Sequence, residues 1–196
     1  MALFKNTPQQ TNISPRQALQ VKFNSARGNL LMVVVFTLVN IVLLMTNANS
    51  YFLFSAFIPY MLIDEAWFYT GRYPAEIYEE YYPDMIFSND TLLYILVAIA
   101  FAVLLVYIFS WFFAKNNRAG WLVIALVFFS IDTVGYLLYY LYYGMLDLSC
   151  IIDVLFHVWV LYYLVNGLIA SAKLKKLPED AAEPEVSEVT TDETNE

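Results

Sequence analysis

Residues 91–114, TLLYILVAIAFAVLLVYIFSWFFA, run for 24 positions without a charged side chain. At about 1.5 Å of rise per residue, a helix of that length covers the roughly 30 Å hydrocarbon core of a bilayer. The apolar side chains are continuous rather than alternating, so a helix is the expected spanning form and a β-barrel strand is not. Three further blocks read the same way. Residues 30–46 are LLMVVVFTLVNIVLLMT, residues 121–143 are interrupted by Asp132 alone, and residues 149–172 by Asp153 and His157. Four helices apolar on every side would leave a soluble core without a polar outer face. The expected fold is therefore all-α: a polytopic membrane protein with four transmembrane helices at about 30–46, 91–114, 121–143 and 149–172, all within a membrane domain of residues 29–172.

Composition agrees. Of the 196 residues, 60% are hydrophobic and 14% charged, against about 25% charged in an ordinary soluble domain. The net charge of −8 argues against a nucleic-acid partner, which needs a clustered basic face. A single cysteine excludes an intrachain disulfide.

The charges also orient the helices. Residues 1–28 carry Lys5, Arg16, Lys22 and Arg27 and no acid, whereas the loop 47–90 carries Arg72 against seven acids. Lys115 and Arg118 lie in the turn after the second span, and Lys173, Lys175 and Lys176 after the fourth. Placing both termini in the cytoplasm puts nine of the ten bases inside, as the positive-inside rule requires. Tyr51 to Ile63, YFLFSAFIPYMLI, is apolar for only 13 residues before Asp64 and Glu65. That is short for a span, and Pro59 is expected to interrupt a helix there. The segment is expected to be interfacial or re-entrant at the outer surface.

Both flanks have simple readings. Ser14-Pro15-Arg16-Gln17 spells a helix start, with Ser as cap, Pro first and Gln three residues after the cap. Leu19, Phe23 and Ala26 follow at helical spacing, which suggests a short basic helix on the cytoplasmic membrane surface or a topogenic linker. Residues 173–196 end in eight acids with no base after Lys176, a composition expected to form a disordered acidic cytoplasmic tail.

The outer loop 47–90 is rich in aromatics, with Tyr60, Trp67, Phe68, Tyr69 and Tyr73 as its candidate cap. Tyr and Trp favour the headgroup region, so an interfacial belt is one reading. A recognition cap is the other, because the same residues anchor protein interfaces. Within the bilayer, Asp132 lies near the middle of the third span, and Asp153 and His157 share a face of the fourth at a spacing of four. The connection between those spans is short, so they are antiparallel neighbours. An intramembrane acid needs a partner. Asp132, Asp153 and His157 are expected to form either a structural hydrogen-bond cluster or a proton or cation relay. Thr37 and Asn40 in the first span are expected to make interhelical polar contacts. No catalytic motif, metal set or cofactor motif is present: one His and one Cys offer no CxxC, HExxH, GxSxG or P-loop.

The segments SARGNLLMVVVFTLVNIVLL, YFLFSAFIPY, GRYPAE, WLVIALVFFSIDT, IIDVLFHVWVLYYLVNG and KLKKLPE resemble small multi-pass membrane proteins of Gram-positive, clostridial-type bacteria. The resemblance covers about Ser25 to Glu179 and implies a bacterial cytoplasmic membrane, with no activity or catalytic residue attached. The expected role is a non-enzymatic accessory or scaffold subunit acting through helix packing and the outer loop. Its partners would be the lipid bilayer and a membrane protein or a second copy. A small transporter or channel protomer built on Asp132, His157 and Asp153 is the alternative.

Overall fold

The computed structural model describes residues 13–178 except 49, 53 and 145–147, so the acidic tail expected at 179–196 and the first twelve residues lie outside the described residues. The described chain is all-helical. Its helices are α1 (Pro15–Met45), α2 (Phe57–Tyr69), α3 (Ala75–Tyr81), α4 (Asp90–Phe113), α5 (Ala119–Tyr143) and α6 (Leu148–Leu174), with one 3-10 turn at Lys115–Asn117. Four of them, α1, α4, α5 and α6, are long and apolar enough to cross a membrane. The chain is a multi-pass membrane protein.

The start of α1 follows from its sequence. Ser14 Oγ accepts from the Gln17 N–H at 3.2 Å, and Gln17 Oε1 accepts from the Ser14 N–H at 3.1 Å. The basic segment is not a separate surface helix, however. It continues without a break into the span as one 31-residue helix. Phe23, Ala26 and Leu30 share one face, and all three are fully buried in the bundle core with Leu122, Val160 and Leu164. Burial on protein replaces burial in lipid. Ala26 meets Gly167 of α6 so closely that a Cβ added to Gly167 would lie 2.4 Å from the Ala26 Cβ. Small residues therefore set the α1–α6 separation, as is common between membrane helices.

At the other end of α1, Asn47 adopts φ 50°, Ala48 N–H reaches Leu43 O at 2.9 Å, and Asn47 N–H reaches Leu44 O at 3.0 Å. This left-handed cap satisfies the last carbonyls and turns the chain back toward the bundle. The chain then descends between the helices instead of staying at their ends. α2 begins deep, at the level of Asp132, and climbs outward against α1 and α4, where Ile63 packs with Ile41, Leu44, Ala100 and Leu104. Its 13 residues rise about 20 Å, too short to cross the roughly 30 Å hydrocarbon core. Pro59 does not break it. Proline occupies the third helical position, where the backbone N–H has no intrahelical acceptor, so its absence costs nothing. A second left-handed cap at Gly71 (φ 70°) ends α2, with Arg72 N–H on Trp67 O at 3.0 Å. Short α3 then folds over the top and returns the chain to α4, whose cap residue Asn89 accepts from Thr91 N–H at 3.1 Å. At the opposite end, Arg27 ties α1 to α4 by donating to Trp111 O from Nε and Nη2 at 3.3 and 3.2 Å.

Candidate functional site

The polar groups of the spans converge on the descending loop. Ala56, the residue before α2, has no side chain able to cap a helix, and the first N–H groups of α2 would be orphans in an apolar surrounding. Asp132 of α5 supplies the cap from 75 residues away. Its Oδ2 accepts from Phe57 N–H at 2.9 Å and its Oδ1 from Ile58 N–H at 2.7 Å. The carboxylate thus faces the positive end of the α2 dipole, where an anion is favoured. Asp132 is 1% exposed. One turn along α5, Gly135 leaves room for Ile58, whose Cδ1 would lie 3.5 Å from an added Cβ.

His157 completes the arrangement. Its ring is stacked between Phe129 and Tyr136 at centroid distances of 5.2 and 5.1 Å, and these residues flank Asp132 on the same face of α5. Nδ1 lies 2.8 Å from the backbone carbonyl of Asp153. A carbonyl only accepts, so Nδ1 carries a proton. Nε2 then faces Asp132 Oδ2 at 3.3 Å. The expected meeting of Asp132 and His157 is present.

Asp153 plays a different part from a third relay member. Its backbone, rather than its carboxylate, holds His157, while its Oδ1 accepts from Phe54 N–H at 3.4 Å. Thr37 and Asn40 likewise bind the loop and not another helix. Thr37 Oγ1 donates to Val33 O at 2.7 Å and accepts from Ala56 N–H at 2.8 Å. Asn40 mimics a strand edge for Phe52, accepting its N–H at 2.8 Å and donating to its carbonyl at 2.6 Å, with Ser55 Oγ at 2.9 Å. These contacts pull a non-helical backbone inside the bundle and pair its polar groups, the condition on which such backbone is tolerated at membrane depth.

The five aromatic residues expected to form the cap divide into two groups. Tyr60 and Trp67 face inward against the cluster around Ile63, with Tyr60 also 5.0 Å from Tyr51. Phe68, Tyr69 and Tyr73 line an outward cleft of about 560 Å³ with Asp64, Glu65, Tyr81 and, from α5, Tyr139 and Tyr143. Phe68 is its hub, touching the rings of Tyr69, Tyr73, Tyr78 and Tyr82 at 5.4, 6.4, 5.7 and 5.0 Å. Tyr78 OH donates to Phe68 O at 2.9 Å, locking α3 onto α2. Tyr73 OH donates to Asp64 Oδ1.

Burial raises the pKa of Asp64 above its ordinary value, against the opposing effect of the Tyr73 hydroxyl. Burial and then the charge of Asp64 raise that of Glu65.

Sequence reasoning did not single out Asp64, Glu65, Tyr81, Tyr139 or Tyr143 as a shared surface. The adjacent carboxylates at the end of an apolar run were the available signal. The N–H groups of Phe57 and Ile58 carried none. Among the described residues no group of three or more His, Cys, Asp and Glu could hold a metal ion. Compared with known proteins, the chain matches no protein-family model, no curated protein and no solved structure.

Proposed function

We propose that this chain is a non-enzymatic accessory or scaffold subunit of a bacterial cytoplasmic membrane, with both termini inside and its aromatic cap as the working surface outside. One observation carries the reading: both oxygens of the Asp132 carboxylate are engaged by the backbone at the start of α2. The most expensive polar group in the bilayer is thus used to anchor the segment that bears the cap. Thr37, Asn40 and Asp153 serve the same segment. Orientation rests on the Lys and Arg bias, since Lys115, Arg118 and Lys173 lie at the end of the bundle opposite the cap.

The competing reading, a small proton- or cation-handling transporter, draws on the Nε2–Oδ2 approach of His157 and Asp132 at 3.3 Å. Reconstitution separates the two. Liposomes containing the full chain, loaded with a pH-sensitive dye and given an imposed potential, should leak protons no faster than empty ones. Asp132→Asn should loosen the 52–58 backbone without altering that leak. A proton flux in the wild type that Asp132→Asn and His157→Phe both abolish, with the cap still ordered, overturns the scaffold reading. Labelling of single cysteines at Glu79 and Lys173, in a Cys150→Ser background, tests the orientation. Glu79 should react from outside intact cells and Lys173 only after permeabilisation.

A further inference from the structure

The cleft over the cap end has a chemistry that the anchoring role does not use. Its two acids, Asp64 and Glu65, sit on the outer half of α2 and are partly withdrawn from water. Among the described residues no basic side chain lines it. Arg72, the only base in the loop 47–90, is committed elsewhere: it pairs with Asp90 at 2.9 Å and lies over the Trp67 ring at 5.7 Å. The walls are aromatic and come from three helices and a linker, with Phe68 and Tyr69 on α2, Tyr73 after it, Tyr81 on α3, and Tyr139 and Tyr143 on α5. The volume of about 560 Å³ is that of a small-molecule site.

We propose that this cleft binds a substituted ammonium ion, its cationic head against Asp64 and Glu65 and its alkyl groups against the tyrosine faces. The proposal rests on the reading of the cap as the working surface. Negative charge without a neighbouring base favours a cation. Aromatic faces favour a weakly hydrated organic one, because the ring quadrupole attracts a positive charge whose shell is easily removed. A bare metal ion prefers several oxygen ligands, and this cleft offers two carboxylates walled mainly by rings. The ligand chemistry is the same whether the ammonium belongs to a lipid headgroup at the membrane surface or to a free amine.

The test uses the full chain in nanodiscs, with choline as the probe and its neutral isostere 3,3-dimethylbutanol as the control. Binding is read from tyrosine and tryptophan fluorescence. In phosphatidylglycerol discs choline should saturate the signal, the isostere should bind at least about tenfold more weakly, and Glu65→Gln should weaken choline by about tenfold. Asp64 is held by Tyr73, so Glu65 is the cleaner substitution, and Tyr81→Leu probes an aromatic wall without touching either acid. In phosphatidylcholine discs, a site filled by lipid headgroups should no longer respond to free choline, whereas a site for a free amine should respond equally in both discs. Either pattern supports the proposal and identifies the source. Equal binding of choline and its isostere, no saturable signal, or indifference to Glu65→Gln overturns it. If the cap stays protected from hydrogen exchange while choline fails to bind, the cleft proposal falls alone. If that protection does not depend on Asp132, the reading of the cap as anchored falls instead.

Discussion

Replacing Asp132 tests whether the intramembrane acid holds the re-entrant half-helix. The carboxylate accepts two backbone N–H bonds at 2.9 and 2.7 Å, and its Oδ2 lies 3.3 Å from His157 Nε2. Asparagine keeps one acceptor and turns an NH₂ toward the other donor, so one of the Phe57 and Ile58 N–H groups loses its partner. A buried unpaired donor costs about 1–3 kcal/mol, or about 5- to 150-fold in a local opening equilibrium. Alanine strips both bonds and leaves His157 facing a void, which costs about 3–5 kcal/mol for a broken buried polar pair. Hydrogen exchange read by mass spectrometry on the protein in detergent measures the effect where it should occur. Peptides spanning Phe52–Tyr69 should exchange faster in the order wild type, Asn, Ala. A peptide from the inner half of α6, around Leu164, should hold its protection in the Asn variant, because its packing on α1 does not involve the clamp. Unchanged protection at Phe57 and Ile58 in both variants, with the bundle intact, would refute the clamp. Uniform loss across all helices would show that Asp132 supports the bundle rather than the loop.

Three further outcomes follow from the same geometry. His157→Phe preserves the stack between Phe129 and Tyr136 but removes the polar partner of Asp132, so the melting temperature should fall. In an Asp132→Asn background the same change should cost less, by about 0.5–3 kcal/mol of coupling in a double-mutant cycle, since the carboxylate that faces the imidazole is then already gone. Gly167→Ala forces its Cβ against Ala26 at 2.4 Å and should destabilise the bundle by about 1–3 kcal/mol, with Ala26→Gly restoring much of it in thermal melts. Asp64 and Glu65 have raised pKa values, so the folded cap binds their protons more tightly than the unfolded chain does. By linkage the cap should gain protection as the pH falls through the raised values toward the ordinary 3.8 and 4.5, and lose it as the pH rises again. Tyr73→Phe removes the hydroxyl that opposes the shift of Asp64, so the midpoint of that pH effect should move further up.

The four spans were legible because the bilayer imposes a length and a polarity on each one separately, and a run such as residues 91–114 meets both conditions without reference to the rest of the chain. The Ser14 cap was legible for the same reason, since its partner Gln17 is three residues away. The start of α2 was not. Capping signals in sequence are side chains adjacent to the helix they cap, and Ala56 offers none; the acceptor comes from Asp132, 75 residues from Phe57. Thr37 and Asn40 were recognised as polar residues in need of a partner inside a membrane. Apart from Ser55 Oγ, their partners in the loop are main-chain groups of Phe52 and Ala56, which every sequence contains and no sequence marks. Pro59 misled because proline is read as a breaker when the helix start is unknown. Once Asp132 fixes the start at Phe57, the same proline falls in the first turn and favours the helix. An acid within an apolar span therefore predicts that something nearby must donate to it, and backbone at the start of an uncapped half-helix satisfies that demand as fully as a substrate or a proton path does. Here the apolar 13-residue run at 51–63 was the one segment too short to span and too apolar to leave, so the acid and the loop each supply what the other lacks.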